Sequence, residues 1–230
     1  MTTRIRLVTF DVLHTIITPR QPIHVQYAEV FRPYLGAIPP ERIKASFKIA
    51  LEQAQREFPA YEKGHIGWWT KVVNDTALGA GADAKLVSDK MTTIIPILLK
   101  RFSSREGYLA FPDAIPTIEK LHAAGVRTGI VSNGDSRFRK VLEDLGFPEY
   151  LGPIILSEEV KIEKPDPRVF EWALRGEGLR AEECLHVGDE LEADFVGAKS
   201  AKWNAALLKR SEGGKGHTIQ ELGEVLNLIY

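Results

Sequence analysis

Arg4-Ile5-Arg6-Leu7-Val8-Thr9-Phe10-Asp11-Val12-Leu13-His14-Thr15 is the stretch on which the fold turns. Its apolar run is bounded by polar residues and fits a strand buried on both faces of a parallel sheet. The run ends in a carboxylate. Open α/β sheets bind ligands outside the carboxyl ends of their strands, which places Asp11 where chemistry is done. Taken alone, the segment is better explained by an aspartate closing a turn. The order of the later segments reverses that reading.

From Phe111 onward helix and strand alternate. Asp113 N-caps a helix that runs to Ala124, with Ile115, Ile118 and Leu121 inward and Gly125 as its stop. Strands follow over 127–132, 153–157, 184–188 and 204–208, separated by helices, and 219–229 reads as a closing helix. This alternation predicts βαβ units on a parallel sheet, a Rossmann-like core. The first strand must then pair with strands that begin only after residue 125. Residues 17–108 are accordingly expected to be an all-helical cap, or lid, inserted into a core made of 1–16 and 109–230. Within the cap, 16–22 reads as a turn-rich connector and no strand is expected. Four helices follow. Pro33 should kink the first near its end, Pro40 opens the second, Trp68-Trp69 lie on the third, and Pro96 should interrupt the fourth. The stretch Ser211-Glu212-Gly213-Gly214-Lys215-Gly216-His217-Thr218 lacks the spacing of a phosphate loop and reads as a surface loop.

With 30 basic and 31 acidic residues in 230, the chain carries a net charge of −1 and no basic excess that would suit nucleic acid. Cys184 is the single cysteine, so no internal disulfide can form, and a reducing compartment is expected: the cytoplasm first, the nucleus second. The N-terminal apolar run is too short for a signal peptide, and no segment has the apolar length to span a bilayer. Neither a nucleic-acid nor a membrane partner is expected. Oligomeric state is not encoded in any pattern visible here.

The polar residues after four strands form a set: Asp11, Ser132-Asn133, Lys164, and Asp189 with Asp194. Each has a local explanation as a turn, a solvated charge or a helix cap. Together their chemistry is consistent. Asp11 and Asp189 are hard oxygen ligands for Mg2+, which takes one or two carboxylates plus phosphate oxygen and water. Ser132 and Lys164 supply a hydroxyl and a positive charge for phosphoryl oxygens. Asp11 can attack phosphorus.

Four motifs, Phe10-Asp11-Val12-Leu13-His14-Thr15, Val131-Ser132-Asn133-Gly134, Glu163-Lys164-Pro165-Asp166-Pro167 and Val187-Gly188-Asp189-Glu190-Leu191-Glu192-Ala193-Asp194, resemble those of the haloacid dehalogenase (HAD) superfamily. Gly67-Trp68-Trp69 and the altered first motif resemble its eukaryotic group called haloacid dehalogenase-like hydrolase domain-containing protein 3. The resemblance implies a HAD core with a cap after the first strand, and a small phosphorylated molecule as substrate. It further implies Asp11 as nucleophile, and Mg2+ held by Asp11, the backbone carbonyl of Leu13, Asp189 and Asp194. Thr15, Ser132, Asn133 and Lys164 would surround the phosphate, with Lys164 counted among the catalytic groups.

The resemblance breaks at Leu13. Family phosphatases have a second aspartate there as general acid and base, a function worth about 10²–10⁴-fold in rate. Turnover is therefore expected to be slow. His14, His24 and Asp135 are the candidates for a replacement. His14 is expected to point away along an alternating strand, and Asp135 to cap the helix from Arg137. Two further functions remain open: a phospho-ligand-binding or interaction protein without turnover, and a 2-haloacid dehalogenase, against which the acidic fourth motif speaks.

Overall fold

The computed structural model describes residues 4–62, 64–210 and 218–229. From β1 (Leu7–Phe10) the chain passes through a short strand, β2 (Ile17–Pro19), into four helices. These are α1 (Ile23–Leu35), α2 (Pro40–Glu57), α3 (His65–Gly79) and α4 (Ala84–Arg101), and they end at β3 (Tyr108–Ala110). Alternation follows through α5 (Ala114–Ala123), β4 (Arg127–Ser132), α6 (Arg137–Asp144), β5 (Ile154–Leu156), α7 (Ser157–Val160) and α8 (Arg168–Ala173). The chain closes with β6 (Cys184–Gly188), α9 (Gly197–Ser200), β7 (Asn204–Leu208) and β8 (Thr218–Ile219).

Six of these strands form one sheet in the order β5-β4-β1-β6-β7-β8, with every pairing parallel. β1 lies inside it. Leu7 is level with Arg127 on one side and Cys184 on the other, and Phe10 with Ile130 and Val187. All four β1 residues are buried, as expected of a strand covered on both faces. Successive side chains alternate between faces. Val8 and Phe10 join Ile118 and Leu121 of α5, whereas Leu7 joins Val169 and Phe170 of α8 and Trp203. Each such fully buried apolar side chain contributes about 1.5–3 kcal/mol. The chain builds outward from β1 through β4 to β5, then returns to start β6 on β1's other side. The strand order therefore reverses between β1 and β6, the crevice where α/β sheets bind ligands.

Several expectations need correction. The connector after Thr15 is not all turn: β2 pairs antiparallel with β3, Ile17 opposite Ala110 and Pro19 opposite Tyr108. Ile16 and Ile17 are fully buried, and Phe111 N–H donates to Ile16 O at 3.0 Å, so burial selects a strand there. Helix α4 runs through Pro96 without interruption. The missing donor and ring clash cost about 3 kcal/mol, but burying Val87, Met91, Ile94 and Leu98 outweighs that. Asp113 does not cap α5 with its side chain, because its own backbone is already helical (φ −89°, ψ −9°). Its carboxylate instead accepts from the Arg210 guanidinium at 3.0 and 3.1 Å and from Leu222 N–H at 2.9 Å. In place of a closing helix stand β8 and a 3-10 segment, Leu222–Asn227, since Ile219 O accepts from Lys209 N–H. The expected surface loop at 211–218 falls, except for Thr218, outside the described residues.

Candidate active site

Asp11 follows β1 directly, and its N–H donates to Val187 O of β6 at 2.9 Å. This bond extends the parallel ladder by one residue and holds the carboxylate at the strand-order reversal. Ser132 ends β4, Lys164 sits in the loop before α8, and Asp189 follows β6. Asp194 comes from Leu191–Val196, a π-helical turn that precedes α9. Ligand atoms of Asp11, Asp189 and Asp194 lie within 4.8 Å of one another. Three carboxylates at that spacing form a hard-oxygen donor set that fits a divalent cation.

Lys164 is the electrostatic centre of this group. Its Nζ donates to Asp11 Oδ1 at 2.7 Å, Asp194 Oδ1 at 2.5 Å and Val131 O at 2.9 Å, which uses all three of its hydrogens. The Lys164 side chain is 1% exposed. Burial lowers the ammonium's proton affinity, but the two carboxylates outweigh it and its pKa is raised. Burial, with Asp194 added, raises Asp11 against the opposing pull of Lys164 and Ser132. Burial pushes Asp194 the same way, yet Lys164 and His186 overcome it and hold that carboxyl below the usual range.

His186 Nε2 lies 3.1 Å from Asp194 Oδ1, and its Nδ1 lies 2.9 Å from Thr9 Oγ1. Glu190 N–H donates to Asp194 Oδ2 at 2.9 Å, so both oxygens are fixed. At the end of β6 only glycine fits, because a Cβ on Gly188 would overlap the Asp194 carboxylate. Sequence reasoning missed His186. Its signal was a lone imidazole inside an apolar strand, eight residues before the aspartate that the fold sets beside it.

Other expected groups sit differently. Thr15 is fully buried, and its hydroxyl donates to Asp189 Oδ1 at 3.2 Å rather than opening onto the cavity. The Asn133 side chain clasps the Lys164 backbone, donating to its carbonyl at 2.8 Å and accepting from its N–H at 2.7 Å. Its amide is therefore spent on holding the loop. His14 is not on a strand: its backbone is left-handed (φ 64°), and it lines the same cavity as Asp11 and Leu13. His24 faces Glu41 at 3.7 Å and is not among the residues lining that cavity.

The cavity over this cluster measures about 280 Å3. Asp11, Ser132, Lys164 and Asp194 form its polar floor, and Leu13 stands beside Asp11 where the resemblance would place an acid. Aromatic side chains of the inserted helices supply the roof, among them Phe47, Trp68, Trp69 and Phe102, with Tyr108 and Phe138 alongside. Trp69 Nε1 donates to Asp135 Oδ2 at 2.8 Å, and the Arg137 guanidinium lies 4.9 Å from a Trp69 ring centroid. Asp135 also accepts from Arg137 N–H at 3.0 Å, as a residue at the start of α6 should, but it is 4% exposed and braces the indole.

A second set, His65, Asp135 and Glu158, also brings ligand atoms within 4.8 Å. Its carboxylates are already engaged. Glu158 accepts from His65 N–H and faces His65 Nδ1, both at 2.7 Å, and accepts from Ser136 N–H at 2.8 Å. One carboxylate thus meets the N-terminal ends of α3 and α6 and ties roof to floor. Nearby, Ala60 and Tyr61 are both left-handed (φ 48° and 55°). Ala60 N–H donates to Glu163 Oε2 at 3.3 Å, and Lys161 Nζ donates to Tyr61 O at 3.2 Å.

The family model described as haloacid dehalogenase-like hydrolase matches residues 5–202. Haloacid dehalogenase-like hydrolase domain-containing protein 3 of Danio rerio is 29% identical over 217 residues, covering 93% of this chain and 88% of that protein. Among solved structures, a HAD phosphatase from Thermococcus onnurineus is similar with a TM-score of 0.61 at 25% identity, covering 97% of both chains. A 2-haloacid dehalogenase from Pseudomonas syringae pv. Tomato DC3000 shares the fold with a TM-score of 0.68 at 24% identity, again over 97% of both chains.

Proposed function

Because the chain belongs to the haloacid dehalogenase-like hydrolase family, we propose that it is a Mg2+-dependent phosphoric monoester hydrolase acting on a small phosphorylated molecule, with Asp11 as nucleophile. The observation that carries this reading is the approach of Asp11, Asp189 and Asp194 to within 4.8 Å at the reversal of strand order. An all-oxygen set of this kind suits Mg2+ better than softer metals. These three residues, with the Leu13 carbonyl, would hold the ion, which when bound would offset charge on the phosphoryl oxygens. Asp11 attacks phosphorus to give an aspartyl-phosphate, which water then opens. Lys164 holds the Asp11 carboxylate in place and keeps positive charge beside the transferring group. Ser132 faces the same oxygens, Asn133 fixes the Lys164 loop, and Thr15 orients Asp189.

The four inserted helices act in this reading as a lid that excludes water and selects substrate. Among the described residues no helix is long and apolar enough to cross a membrane. A dehalogenase reading has one observation in its favour, the apolar Leu13 in the cavity, since a departing halide needs no proton. The carboxylate trio weighs against it, because a site for an α-haloacid gains nothing from concentrated negative charge.

Mg2+-dependent release of p-nitrophenol from p-nitrophenyl phosphate tests the proposal. Continuing turnover that disappears in Asp11→Asn is the expected result. Chloride release from 2-chloropropionate without phosphate release would replace it with the dehalogenase. A rise in melting temperature with Mg2+ and phosphate, without turnover, would leave a binding protein.

A further inference from the structure

We infer that the substrates of this site are phosphate monoesters of a single aromatic or enolic ring, whose oxygen leaves as a free anion, rather than esters of alkanols. The inference rests on the hydrolase reading above and follows from two features of the cavity. The first is the side chain beside the nucleophile. Leu13 lines the cavity next to Asp11 and has no proton to give. Tyr108 is a weak substitute, since burial pushes its hydroxyl up to about 12. His14 and Glu190 share the cavity wall, and a benzyl ester turned over as readily as a phenyl ester would assign the proton to one of them. The second feature is the roof. Trp69 is pinned by Asp135, its ring meets Trp68 at 4.8 Å, and Tyr108 meets Phe102 at 5.7 Å and Phe138 at 6.2 Å. These rings meet edge to face, at interplanar angles of 64–74°, and form a preorganised aromatic wall for whatever the phosphate carries. At about 280 Å3 the cavity lies at the small end for ligand sites, room for one ring and a phosphoryl group.

The bond changes balance without a protein acid. An Asp11 carboxylate oxygen forms a bond to phosphorus, the phosphorus–oxygen bond to the ring breaks, and its electron pair leaves on the ring oxygen. That oxygen takes its proton later, from solvent. Water then adds to phosphorus and the bond to Asp11 breaks, which returns the carboxylate, inorganic phosphate and a proton to solvent. A phenol ionises near ~10, whereas an alkanol resembles water at about 16, so only the ring oxyanion is a competent unassisted leaving group.

The test measures kcat/KM for phenyl phosphate and benzyl phosphate with Mg2+. Both carry one ring of similar shape, but only the first releases a phenolate. kcat/KM reports the steps through departure of the leaving group, even if opening of the aspartyl-phosphate limits kcat. Phenyl phosphate should exceed benzyl phosphate by at least about 100-fold, the low end of what general acid catalysis supplies. Leu13→Asp should narrow that gap by raising the benzyl rate. Binding is read separately, by thermal shift with non-hydrolysable phosphonates, where benzylphosphonate should bind at least tenfold tighter than methylphosphonate. Benzyl phosphate turnover within tenfold of phenyl phosphate in the unaltered protein overturns the inference while leaving the hydrolase intact. Equal binding of the two phosphonates also overturns it. If neither ester nor p-nitrophenyl phosphate is hydrolysed, the hydrolase reading falls and takes this one with it.

Discussion

Lys164 shows how a buried charge is made tolerable. An isolated ammonium in this position would cost several kcal/mol, and three acceptors within 2.9 Å, two of them carboxylates, offset that cost. Lys164→Met removes one partner and leaves Asp11 and Asp194 facing each other without a counter-charge. The expected loss is about 3–5 kcal/mol in urea unfolding with EDTA present, partly restored by saturating Mg2+. Unchanged stability in EDTA would show that the carboxylates do not depend on this ammonium. Asp11 and Ser132 stood out in the sequence because each sits at a strand end. Lys164 and Asp194 lie further past theirs, behind α7 and within the Leu191–Val196 turn, and stood out only through the motifs that carry them. The directions of Thr15 and Asn133 were not. A residue's position after a strand says nothing of whether its side chain turns to the cavity, to Asp189 or to a neighbouring loop. His186, Trp69 and Glu158 escaped for a related reason: their partners are contacts between segments far apart in the chain.

Among the elements, α3 and α6 share one anionic anchor. Burial alone would raise Glu158, but the N–H groups of Ser136 and His65 and the two side chains outweigh it and lower its pKa to about 2. A carboxyl depressed below its unfolded value stabilises the fold above the unfolded pKa, near 4.5, and loses that contribution as pH falls toward 2. Glu158→Gln keeps the shape and removes the charge. It should cost about 1–2 kcal/mol at pH 7, and should flatten the loss of melting temperature between pH 4.5 and 2. Parallel pH profiles for the two proteins would contradict this. The interior strands over 127–132, 184–188 and 204–208 were legible as largely apolar runs bounded by polar turns, whereas the short strands β2, β3 and β8 were not. Helix α4 was misread at Pro96 because local propensity carries no record of the four side chains that burial holds in line.

At the scale of the molecule, the apolar interior does not stop at the sheet. Phe10 and Val187 belong to the same buried cluster as Phe31, Ile43 and Ile94 of the inserted helices. Roof and floor should therefore unfold together. Tryptophan fluorescence, reporting Trp68 and Trp69 in the roof and Trp172 and Trp203 in the α/β core, should trace the same urea transition as far-UV circular dichroism. An earlier fluorescence transition at lower urea would show that the helices melt first. The α/β class could be read from the sequence, because the order of strands and helices is written along the chain. The interior they share could not, since nothing local marks Ile17 and Tyr108 as its bridge.

The antiparallel pair of β2 and β3 brings the two ends of the inserted segment side by side, Ile17 opposite Ala110. In the proposed function, the nucleophile and the lid are thereby carried by lengths of chain that meet at one seam. A cassette of foreign helices could be spliced in at that seam without disturbing any strand of the six. The splice has one condition. The incoming helices must present apolar side chains to the inner faces of Ile17 and Tyr108, or the transplant would expose the very surface that fuses the halves.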